Sequence, residues 1–170
     1  MQVQPTAKQP VTVLAGPYGH PVHPILVTVP IGAWVCAVVF DVASKLSGSP
    51  QFLALGSMWL IAVGVVGAVA AAMAGFLDLL AIPSGTPAQR VGLLHMTLNL
   101  LVTASYLGNF LWRHAGEGPQ GAVGTGQLVL NVASLAVLAV SGYLGGMLAY
   151  RYGVRVADES TQAEGFATDR

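Results

Sequence analysis

The sequence predicts an all-α integral membrane protein: four spanning helices packed as an antiparallel bundle. Three observations carry that prediction. Only 8% of the 170 residues are charged and 54% are hydrophobic, whereas a soluble domain carries about 25% charged and 45–50% apolar residues. Mean hydropathy over the chain is +0.67. The charges are also confined: Asp78 stands alone between Lys45 and Arg90, and none occurs between Arg90 and Arg113 or between Glu117 and Arg151. Twenty-one glycines and ten prolines do not make a disordered chain when so much of the remainder is apolar.

The elements follow in order. Residues 1–23 form an N-terminal cytoplasmic or interfacial segment. They lack a charged start followed by an apolar core, so no cleavable signal peptide is expected. A spanning helix needs about 20 apolar residues at 1.5 Å rise each. Four stretches meet that requirement, at about 24–46, 52–82, 89–113 and 123–150. They are separated by Ser47-Gly48-Ser49-Pro50, by Ile82-Pro83-Ser84-Gly85-Thr86-Pro87, and by Ala115-Gly116-Glu117-Gly118-Pro119, all turn-forming. Short connections favour antiparallel neighbours. The second stretch is long enough to tilt or protrude. Residues 151–170 read as a disordered cytoplasmic tail.

Orientation follows from Lys and Arg, which prefer the cytoplasmic side. Lys8, Arg90, Arg151 and Arg155 fall on the side holding both termini, against Lys45 and Arg113 on the other. Both termini are therefore expected in the cytoplasm. No internal repeat of a transporter type is visible.

Composition excludes several functions. Seven basic residues balance seven acidic ones, so no basic surface exists for nucleic acid. One cysteine, Cys36, cannot form an intramolecular disulfide or a Cys-based zinc or iron–sulfur site. No nucleophile–base pair, phosphate loop or pair of acid/base carboxylates is present, so enzymatic activity is not supported.

Polar groups inside lipid are expensive, and each asks for an explanation. His20 and His23, each followed by proline, stand where the chain enters the first span. Proline stiffens this approach and biases the preceding residue toward extended backbone. The pair reads either as metal, haem or proton ligands or as an interfacial turn with Pro24 starting the helix. In span three, Gly92, His95, Asn99, Thr103 and Tyr106 recur at spacings of 3, 4, 4 and 3, which places them on one face. That stripe either lines a pocket, with His95 the leading ligand candidate, or hydrogen-bonds to neighbouring helices.

Asp78 continues a small-residue stripe of Gly64, Gly67, Ala71 and Gly75, which allows close helix approach and points Asp78 into the bundle. It is expected either to orient a histidine from behind or to pair with Arg90. Asp41 precedes Lys45 by four residues, the favourable order for a helical ion pair, and is assigned to structure. His114, beside Arg113, is expected to be solvated. In span four, Ser134, Ser141, Gly142, Gly145, Gly146 and Ala149 read as a packing or oligomerisation face.

Chain direction brings His20, His23, Asp78 and His95 to one end of the bundle. The expected site is therefore cofactor-binding through His20, His23 and His95, or a metal site of those histidines with Asp78. Asn99 and Arg90 would stand behind the ligands.

Gly19-His20-Pro21-Val22-His23-Pro24, Pro30-Ile31-Gly32-Ala33-Trp34, Phe40-Asp41, Gly75-Phe76-Leu77-Asp78, Ile82-Pro83-Ser84-Gly85-Thr86-Pro87 and His95 with Asn99 also resemble a family of small bacterial four-helix membrane proteins of unknown function. The resemblance implies a multi-pass protein of the bacterial cytoplasmic (inner) membrane. Some members of that family are fused to Rieske-type iron–sulfur domains, which implies membrane redox chemistry by association.

The leading expectation is thus a histidine-based haem b or divalent-metal protein of membrane electron transfer. The alternative is a non-catalytic accessory subunit, packed against a larger respiratory complex or against its own copies. A channel ranks last, since no charged pathway crosses the centre. The lipid bilayer is the one partner the sequence demands.

Overall fold

The computed structural model describes residues 5–8, 12, 15–17, 20–115 and 118–167. The opening Gly19 of the double His-Pro motif lies outside the described residues. Seven α-helices appear among those described: α1 (Pro5–Lys8), α2 (His23–Leu26), α3 (Thr28–Leu46), α4 (Pro50–Leu80), α5 (Pro87–His114), α6 (Thr125–Gly146) and α7 (Glu159–Glu164). A π-helical turn, Met147–Arg151, continues α6. Among the described residues, four units are long and apolar enough to cross a membrane: His23–Leu46, Pro50–Leu80, Pro87–His114 and Thr125–Arg151.

Local chemistry sets the ends of these helices. Pro30 has no N–H to return to the Leu26 carbonyl, and the first span divides at Val27 into α2 and α3. Pro50 opens α4 after the Ser-Gly-Ser break. Ahead of α5, Gly85 takes a left-handed backbone (φ 78°) that a residue without Cβ tolerates. Thr86 then caps the helix by accepting from the Gln89 N–H at 3.2 Å. At 31 residues, α4 is about 46 Å long, against a hydrocarbon core of about 30 Å.

Helices α3, α4, α5 and α6 pack each on the next, and α6 closes the ring against α3, while α2 lies on α4. Large aliphatic side chains such as Val39, Val66, Leu100 and Val140 point outward. Polar residues (Asp41, Ser57, Asn109, Arg113, Asn131, Ser141) are buried inside. Apolar outside and polar inside is the arrangement lipid requires.

At mid-height the core is aromatic. Trp34 stacks on Tyr106 with ring centroids 4.0 Å apart and planes 8° from parallel, and the indole N–H donates to the Ile61 carbonyl at 3.3 Å. The indole occupies the space above Gly64, where an added Cβ would clash with Trp34 Nε1. The glycine stripe of α4 lies where α3 packs closely on α4, and its gaps receive side chains. Gly64 takes Trp34, Gly67 takes Val29, and Gly75 takes His23.

The segment after residue 150 has more structure than its composition suggests. Tyr152 and Gly153 close the π turn by donating to the Met147 and Ala149 carbonyls. Asp158 caps α7, its carboxyl held down to about 2 by the Ser160 hydroxyl and then by the Thr161 N–H. These local bonds, with Arg155 bound to Asp78 at 2.8 Å, order a stretch read from sequence as a free tail.

Candidate functional site

Two polar centres stand at opposite ends of the bundle. At the histidine end, His23 begins α2 and His95 lies two turns into α5. Their rings face each other edge-on, centroids 6.4 Å apart and planes 86° apart. Each is held in the same way by a different helix. His23 Nδ1 lies 2.8 Å from the Ala71 carbonyl of α4, with its ring over Gly75, where a Cβ would approach to 2.9 Å. His95 Nδ1 lies 2.8 Å from the Ser141 carbonyl of α6, with its ring over Gly145, where a Cβ would approach to 3.1 Å. In both cases the glycine follows the accepting residue by four positions. One helical turn supplies a carbonyl to grip the ring and a gap to admit it.

A carbonyl only accepts, so each Nδ1 carries the proton. In the neutral ring this leaves the Nε2 lone pair available, the form in which histidine binds metals. Asn99 closes the arrangement around His95. Its amide donates to the His95 carbonyl at 2.9 Å and to Ser141 Oγ at 2.8 Å, and its nitrogen lies 3.2 Å from His95 Nε2. Those two shorter bonds use both amide hydrogens. The Ser141 hydroxyl in turn reaches back to the His95 carbonyl at 3.2 Å.

Of the four residues expected to converge, two meet. His23 and His95 come together. Asp78 is buried near them but binds Arg155, not Arg90, and Arg90 is exposed on the first turn of α5. His20 is exposed. Among the described residues, no group of three or more His, Cys, Asp or Glu could hold a metal ion. Span four, read as a packing face, supplies the seat of His95 through Ser141 and Gly145.

The opposite, arginine end holds a centre that sequence reasoning missed. Arg113 is buried, donating through both terminal nitrogens to the Asp41 carboxylate at 2.7 Å each, through Nε to Asn109 Oδ1 at 2.9 Å, and to Ser57 Oγ at 3.0 Å. Asn131 donates to Asp41 Oδ2 at 2.6 Å. The cluster takes Asp41 from α3, Ser57 from α4, Asn109 and Arg113 from α5, and Asn131 from α6. Lys45, the partner expected for Asp41, is exposed and reaches Thr125 at 3.5 Å instead. The flexible ammonium gains more in water than in the core, while the guanidinium fork matches both carboxylate oxygens. His114 is exposed, stacked on Phe110 at 5.7 Å.

A signal for this centre was present in the sequence. Asn109 and Arg113 continue the α5 stripe beyond Tyr106 at spacings of 3 and 4. The cluster is nearly self-satisfied, with Asn131 Oδ1 the one buried side-chain polar atom lacking a partner among the described residues. Its chemistry is consumed in holding the four helices together, whereas at the histidine end the Nε2 atom of each ring is left as an acceptor, that of His95 with the Asn99 amide nitrogen 3.2 Å away.

Fold and site together define a polytopic membrane protein: a four-helix bundle with a seated pair of histidines at one end and a buried ion pair at the other. The chain belongs to the family described as Predicted membrane protein (DUF2231), a family of unknown function that matches residues 19–158. No curated protein and no solved structure matches it.

Proposed function

We propose that His23 and His95 would hold the iron of a haem and that the protein serves membrane electron transfer. The observation that carries this reading is the pair of half-buried imidazoles from two helices, each with Nδ1–H fixed on a carbonyl. Two neutral nitrogen donors suit an iron whose other four ligands come from a porphyrin. A structural zinc site takes four protein ligands, whereas Asp78 is paired with Arg155 and His20 is exposed. Bound haem would supply one-electron chemistry. The protein's part is to fix both rings, and the Nδ1–H bonds raise the basicity of the ligating nitrogens.

The test is a titration of purified apoprotein in detergent with haemin. A saturable Soret shift is expected, abolished by His95→Ala and by His23→Ala and retained in His20→Ala. A bare metal ion on the same two nitrogens would give no Soret shift but would protect His95 from modification. No binding of either kind overturns the proposal. The accessory-subunit reading then takes over, supported by Gly32, Gly108 and Gly142, exposed positions where an added Cβ would meet nothing and another helix could approach closely.

The site is placed on the cytoplasmic side of a bacterial inner membrane. Since Arg113 and Arg155 are both consumed in buried ion pairs, the remaining cations are Lys8, Arg90 and Arg151 against Lys45, which keeps the positive-inside bias. In a Cys36→Ser background, a cysteine at Thr161 should resist an impermeant maleimide in intact cells, and one at Gly48 should react. The reverse pattern would invert the topology.

A further inference from the structure

We infer that Asp78 and Arg155 are positioning residues for the two histidines, tying together the helices that seat them. The inference rests on the reading of His23 and His95 as a donor pair. Asp78 and Arg155 pair with each other, and their effect on the rings runs through the helices that carry the seats. His23 is held by Ala71 and Gly75 of α4, and Asp78 follows Gly75 on that helix by three residues, less than one turn. His95 is held by Ser141 and Gly145 of α6, which runs on through the π turn to Arg155.

The return from α6 is tightly specified. Val154 N–H donates to the Leu148 carbonyl at 2.9 Å and Arg155 N–H to the Ala7 carbonyl at 2.9 Å. Arg155 Nε donates to Asp78 Oδ1 at 2.8 Å, with the two side chains only 5% and 12% exposed. Arg155 is also the one non-glycine among the described residues with a left-handed backbone (φ 58°). Such a conformation is disfavoured for a side chain with Cβ and persists where surrounding contacts over-determine it. The chain accepts that strain at the residue whose guanidinium reaches back to α4. Since the two histidine seats lie on α4 and α6, a tie between these helices sets how far apart the rings stand.

The experiment is 15N NMR of histidine-labelled full-length protein in nanodiscs, paired with haemin titration. Wild type should show both rings protonated at Nδ1. Arg155→Gln should shift the resonances of both His23 and His95 and weaken haemin binding about tenfold, the low end of what support residues behind a ligand contribute. Arg155→Lys, and the exchanged pair D78R/R155D, should restore part of both signals. Asp78→Asn, which keeps the shape without the charge, is the milder variant should Arg155→Gln fail to fold.

Unchanged ring resonances in Arg155→Gln and Asp78→Asn, even with lowered thermal stability, would reduce the pair to a structural clasp and overturn the inference. Failure of wild type to bind haemin would instead remove the haem reading. The resonances would still decide the tie.

Discussion

Gly64 shows how much of this bundle depends on a missing side chain. A methyl there would clash with the Trp34 indole nitrogen, and the indole is pinned by its stack on Tyr106 and its bond to Ile61. Gly64→Ala should therefore destabilise the protein by about 1–3 kcal/mol, the usual cost of overpacking a filled core. Gly108→Ala, with nothing within 4 Å of the added Cβ, should leave thermal unfolding in detergent nearly unchanged. Equal effects of the two substitutions would mean that the aromatic stack yields easily. The same logic applies to the seats of the histidines. Gly75 and Gly145 are legible in the sequence as small residues at helical spacing, but spacing does not say whether the gap receives a helix backbone or a ring. That depends on which side chain the neighbouring helix presents.

At the scale of elements, the buried ion pair decides how the helices hold together at the arginine end. It draws one or more residues from each of α3, α4, α5 and α6, and Ser44 extends it by accepting from the Val123 N–H at 3.1 Å just before α6. Removing one charge strands the other in a low-dielectric interior, at a cost of about 3–5 kcal/mol. Arg113→Gln and Asp41→Asn should each lower the unfolding temperature sharply. Combining them removes both charges while keeping hydrogen-bonding shapes, so the double variant should lose much less than the sum of the two. Additive losses would contradict the pairing.

The sequence contained this cluster's periodicity but not its partners. Asp41 with Lys45 at i, i+4 is a local pair that any isolated helix would favour. Asp41 with Arg113 is separated by 72 residues and exists only once the ring of helices has closed.

For the whole molecule, charge spacing and hydropathy were enough to read four spans and an all-helical fold, because lipid leaves a chain few alternatives. Bringing His23 and His95 to one end also followed from chain direction alone, since span one starts where span three starts. What remained hidden was which members of the polar set would meet. His20 is exposed ahead of α2, and Asp78 is claimed by Arg155, whose position depends on a π turn and a left-handed residue with no sequence signature.

The central claim is that the two seated imidazoles share one iron. Its most direct test is the reduced-minus-oxidised absorption spectrum of the protein as purified from haem-replete cells, alongside His23→Ala and His95→Ala. The account predicts Soret, α and β bands in the wild-type protein and their loss in either variant. A featureless spectrum, or one that survives both substitutions, would contradict it.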